Sequence, residues 1–165
     1  MACIGIVADK NSEQEIEKIL LEKSKEYNNI FTIIIINEKS INNIKNIKFE
    51  TILIYKNIIK SEDVFKPILL NTKYLILNSD IEKPLKIVEN IDITIITYGF
   101  NSKATITASS VNENEILLCI QRNILNLNKK LIEPQEINIY TKTQNKHIEM
   151  AVFCIMLLYG MILEE

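Results

Sequence analysis

Glycine occurs three times in 165 residues, histidine once and tryptophan never. So few glycines argue against a Gly-rich phosphate loop, in which several backbone N–H groups must approach one ligand closely. There is no Cys/His pair, no Ser/His/Asp arrangement with supporting glycine turns and no cluster at zinc-ligand spacing, so no catalytic or metal residue is assigned. The three cysteines, Cys3, Cys119 and Cys154, are far apart and set in apolar runs. They read as buried free thiols rather than a disulfide or metal site. Charge of one sign is lacking too: 19 basic against 21 acidic side chains give a net charge of −2. That leaves no footprint for nucleic acid, and lysines spread between glutamates describe a solvated surface. The N-terminus MACIGIVADK has no charged region followed by an apolar run. The longest apolar stretch, residues 150–163, falls short of the about 20 residues that cross a bilayer. The sequence is therefore read as cytoplasmic, without membrane insertion.

What is present is ordinary for a globular chain: 47% hydrophobic and 24% charged residues. Residues 1–165 read as one domain, long enough to bury about 70% of the unfolded surface. Isoleucine, asparagine and lysine are heavily used, as in an AT-rich genome, so single choices of these residues say little.

The chain is organised around residues 92–111. Ile93, Thr94, Ile95, Ile96, Thr97 and Tyr98 form an unbroken β-branched and aromatic run, a buried strand that Gly99 turns sharply. The following stretch, 104–111, alternates small or apolar residues with threonine and serine, as a one-sided strand does. Before this junction, strands are expected at 3–8, 31–36, 51–55 and 74–77. Helices are expected after Ser12 (an N-cap with Glu15 completing a capping box), from Ser61 to Phe65 with Pro67 limiting its length, and from Pro84 to Val88. Residues 37–48 read as a polar loop. After the junction come strands at 104–111, 115–122 and 137–140, then a helix over 144–159 that Gly160 stops. The fold class is α/β: a mainly parallel sheet flanked by helices, with a small antiparallel sheet in the C-terminal half and a closing apolar helix. That helix is apolar nearly all round from Ala151 to Tyr159, so self-association or contact with another protein is expected there.

Three motifs occur in a telling order: Asn78-Ser79-Asp80 followed by Pro84, then Thr97-Tyr98-Gly99-Phe100-Asn101-Ser102-Lys103-Ala104, then a helix opened by Gln144-Asn145 and ended at Gly160. Together they resemble the central domain of the Mur ligases, the bacterial ATP-dependent enzymes that build the peptidoglycan precursor. They are similar to that family's Asn-x-Asp segment, its Thr-x-Gly turn and its His-Asn-opened helix. The resemblance covers residues 78–160 and is topological before them. It implies a vestigial nucleotide site at Asn145, Asn78 and Asp80, with Gln144 on the family's histidine. His147 lies two places beyond Asn145 and reads as an exposed surface residue. Asp80 and Glu82 read as a solvated loop pair.

Departures from the family are as informative. Ser12 stands where the resemblance places a phosphate-binding lysine, and Glu13 where it places a magnesium-binding threonine. Asp9 and Glu13 would each repel a triphosphate by about 1 kcal/mol at partly screened distances. The third strand runs into Lys56, where the family has a glutamate, and the family's Asp-His pair is missing. The resemblance thus implies a degenerate, stand-alone relative, a pseudoenzyme with a cell-wall link. Its expected role is a non-catalytic binding or regulatory module with a protein partner or a homo-oligomer. No cofactor is expected. ATP and magnesium enter only under a second reading, a ligase-related subunit or nucleotide sensor with a weakened site. A self-associating structural protein is the third.

Overall fold

The computed structural model describes residues 2–81 and 86–162. Runs of isoleucine and valine too apolar for a one-sided strand build the centre of its sheet. These are β1 (Ala2–Val7), β2 (Phe31–Ile35), β3 (Thr51–Ile54), β4 (Tyr74–Asn78) and β5 (Thr94–Tyr98). They lie parallel in the order β2-β1-β3-β4-β5, and all four residues of β3 are buried. β3 and most of β4 are buried on both faces, as such runs require. β2 and β5, read as buried strands, are only partly covered: Thr94 is exposed and Ile95 and Thr97 are half-buried. Side chains alternate between the faces: Leu53 and Tyr55 enter one core, Ile52 and Ile54 the other.

The first core is roofed by α1 (Lys10–Glu26) and the C-terminal helix α3 (Lys146–Leu158). The second is roofed by α2 (Glu62–Leu70) and by the 37–49 segment. That segment, read as a polar loop, turns Ile41, Ile44 and Phe49 into the core while its asparagines and lysines stay outside. The fold is α/β, and the antiparallel strands continue the main sheet. β6 (Ile106–Val111) joins β5 by one bridge, Tyr98 to Ile106, and β7 (Glu115–Ile120) and β10 (Gln135–Tyr140) add antiparallel to make eight strands. The separate small sheet is the hairpin β8 (Ile124–Leu125) and β9 (Leu131–Ile132).

Several local expectations are corrected. Asp9, not Ser12, is the N-cap of α1, because β1 and α1 are joined by only two residues and the helix starts as the chain leaves the sheet. Ser12 is buried in the first turn. α2 runs through Pro67 to Leu70 rather than stopping before it. The N–H that proline lacks would have bonded the Asp63 carbonyl on an exposed turn, while Phe65, Ile68 and Leu69 hold the helix on the sheet. Cys154 is buried, but Cys3 and Cys119 are only half-buried; all three thiols are free. Residues 82–85, including Glu82 and Pro84, lie outside the described residues.

The apolar helix needs no second chain to cover it. The sheet takes one side of α3, α1 packs on another, and Ile124, Leu127 and Ile132 of the hairpin region close the rest. The Leu127 N–H donates to the Leu158 carbonyl at 2.9 Å, and Phe31 packs its ring on Tyr159. Val152, Phe153, Leu157, Tyr159 and Met161 are all buried and Met156 is half-buried, so α3 presents no broad apolar face among the described residues. Gly160, at φ +66°, ends the helix in a Schellman motif: the Met161 N–H bonds the Met156 carbonyl at 2.8 Å and Gly160 N–H the Leu157 carbonyl at 3.2 Å.

Candidate functional site

Because β1 connects to one face of the sheet and β3 to the other, the chain parts between their carboxyl ends. In open α/β sheets this switch point is where ligands bind. Here it opens a cleft of about 450 Å³, within the range of small-molecule sites. β1 delivers Asp9 and Ser12, β3 delivers Tyr55 and Lys56, β4 delivers Asn78, Asp80 and Ile81, and the start of α3 delivers Asn145 and His147. The three residues implied by sequence, Asn145, Asn78 and Asp80, thus line one cleft although they come from two elements.

Asp80 is the hub. One oxygen accepts from the Asn101 amide at 2.7 Å and from the Asn101 N–H at 3.3 Å. The other accepts from the Phe100 N–H at 2.8 Å and meets His147 Nε2 at 2.7 Å. The expected solvated loop carboxylate is therefore three-quarters buried and ties β4, the turn after β5 and α3 together. Burial pushes its carboxyl up, but the bonds from Asn101, Phe100 and His147 outweigh this and hold it below the usual range. The same carboxylate explains Gly99, whose φ is +157°: a Cβ there would lie 2.6 Å from Asp80 Oδ1. His147 is likewise no free surface residue. Its ring is edge-on to Phe100, with centroids 4.7 Å apart, and its Nε2 faces Asp80. A signal for this was present in the sequence: two residues past an N-cap asparagine, a side chain sits on the turn that faces the strand ends.

Asn145 caps α3, its Oδ1 accepting from the Ile148 N–H at 3.4 Å, and its amide nitrogen donates to the Tyr55 hydroxyl at 2.9 Å. Burial raises the Tyr55 phenol above its ordinary value. Across the cleft, Asp9 accepts from the Ser12 N–H at 3.3 Å and from the Ser12 hydroxyl at 3.0 Å. Burial opposes ionisation of Asp9, but the Ser12 bonds and the Lys56 charge prevail and lower its pKa. Beneath, Tyr98 is fully buried with no hydrogen-bond partner for its hydroxyl, and burial, with the nearby Cys154, Tyr55 and Asp80, pushes its pKa well up. Tyr55, Ile81 and His147 are the cleft residues that sequence reasoning did not place there, and Lys56 entered it only as a departure from the family's glutamate.

Among the described residues no three His, Cys, Asp or Glu side chains gather as a metal site would require, and no helix is long and apolar enough to cross a membrane. A second hollow, about 130 Å³, lies between Tyr74, Thr94, Arg122 and Leu125 and carries no carboxylate or histidine. No protein-family model matches this chain, and no curated protein matches it significantly.

Proposed function

We propose that this protein is a non-catalytic binding or regulatory module, on a scaffold that resembles a Mur ligase central domain and has lost its nucleotide chemistry. The observation that carries this function is Asp9. Where a phosphate would take up the N–H groups opening α1, the chain's own carboxylate already caps the helix through Ser12. A polyphosphate would have to displace that cap and lie beside a fixed negative charge. Glu13 adds a second carboxylate in the same first turn. The module is cytoplasmic and bacterial on this proposal and works by contact with another protein. A melting curve with millimolar Mg-ATP tests it. A ligand at about 100 times its dissociation constant stabilises by about 2.7 kcal/mol, a rise of about 5–10 °C for a chain this size. An unchanged midpoint supports the module, and a rise of that size refutes it.

A nucleotide sensor is the second reading, favoured by one observation: Asn145, Asn78 and Asp80 do converge on a single cleft. Self-association is the third. It draws support from β2, an edge strand whose one neighbour among the described residues is β1, with no charge or proline between Phe31 and Ile35 to discourage pairing.

A further inference from the structure

The cleft's polar groups divide into those already engaged and those left over. Both carboxylates are engaged: Asp9 by Ser12, Asp80 by Asn101, Phe100 and His147. Asn78 is 3% exposed, and its Oδ1 accepts from the Asp80 N–H at 3.1 Å, which settles which end of the amide is oxygen. Its amide nitrogen borders the cleft and has no partner among the described residues. That nitrogen is not shut off from solvent, because the Tyr98 hydroxyl is the one fully buried side-chain polar atom without a partner among the described residues, so a ligand in the cleft can reach it. Lys56, exposed at the cleft wall, makes no ion pair among the described residues. The Tyr55 hydroxyl is engaged as well, accepting from Asn145 and bonding the Ser12 side chain.

The leftover groups are thus donors, and a complementary ligand must supply acceptors. Two fixed carboxylates against one lysine limit how much negative charge it can carry. A single carboxylate satisfies both conditions, because charge-assisted bonds to Lys56 are about twice as strong as neutral ones. Ile81 and the Tyr55 ring offer an apolar wall for the rest of the molecule. We propose that this cleft binds a small organic monocarboxylate, held by the Asn78 amide and the Lys56 ammonium, an inference that rests on the cleft being a binding site without nucleotide chemistry.

The test is a ¹H–¹⁵N NMR titration of the full chain with benzoate, with its neutral isostere benzamide and with inorganic phosphate. Benzoate is expected to give saturable shifts at the Asn78 side-chain amide and the Lys56 N–H. Benzamide is expected to bind about tenfold more weakly and phosphate not measurably. Asn78→Asp replaces the free donor by oxygen while keeping an acceptor for the Asp80 N–H, and exposed Lys56→Gln removes only the charge; each should weaken benzoate about tenfold. No saturable benzoate shift, equal binding of benzamide, or unchanged affinity in Lys56→Gln overturns the proposal. Should benzoate and Mg-ATP both fail, the ligand class falls and the non-catalytic function stands; Mg-ATP shifting these residues removes the function instead.

Discussion

Replacing Asp80 by alanine tests whether one carboxylate joins three segments. The substitution strips partners from the Phe100 N–H, the Asn101 N–H, the Asn101 amide and His147 Nε2 at once. Bonds to a charged acceptor contribute about 1.5–3 kcal/mol each when buried, but water reaches these exposed donors and replaces much of that. About 2–3 kcal/mol in total is expected, which lowers the melting midpoint of a chain this size by about 5–10 °C. Urea unfolding should show the loss in midpoint with an unchanged slope. Its pH dependence has a definite sign. The Asp80 pKa is lowered in the folded state, so its contribution is fully present above the unfolded value of about 3.9 and is lost as pH falls through the folded value. Wild type and Asp80→Ala should therefore differ at pH 7 and converge in acid below about pH 4. A midpoint within a degree of wild type at pH 7, or a difference that persists unchanged in acid, would refute the hub.

Gly99→Val should destabilise by about 2 kcal/mol or more, from positive φ and the contact with Asp80; in the Asp80→Ala background part of that cost should vanish, and additivity of the two changes would contradict the contact. Gly160→Ala should lower stability by about 1 kcal/mol, since αL geometry and the Asn128 amide 2.7 Å from the new Cβ both oppose it; calorimetry reading no change would remove the Schellman stop from the account. Sedimentation at micromolar concentration is expected to find α3 irrelevant to assembly: Met156→Gln should leave the sedimentation coefficient unchanged, and a dimer dissolved by that change would restore the docking helix.

The parallel sheet was legible because its strands are isoleucine-rich runs that no amphipathic helix could tolerate, and the closing helix because Asn145 and Gly160 bracket it. Local pattern failed where two residues competed for one role. Ser12 with Glu15 forms a plausible capping box, yet Asp9 caps three residues earlier because the sheet releases the chain there. Long-range partners were out of reach. Asp80 bonds residues 20, 21 and 67 positions away, and nothing near Asp80 in sequence announces them. Part of the cover over α3 comes from a short hairpin that reads, residue by residue, as loop. His147 was missed because its partner, Asp80, lies two residues past the end of β4 and 67 positions away in sequence.

Isothermal titration of the protein with Mg-ATP bears most directly on the claim that Asp9 has closed the phosphate position. Wild type should give no saturable heat, while the Asp9 cap remains intact as judged by an unchanged melting midpoint. A saturable one-to-one isotherm at micromolar affinity, weakened by Asn145→Ala, would contradict the account and make this protein a nucleotide sensor.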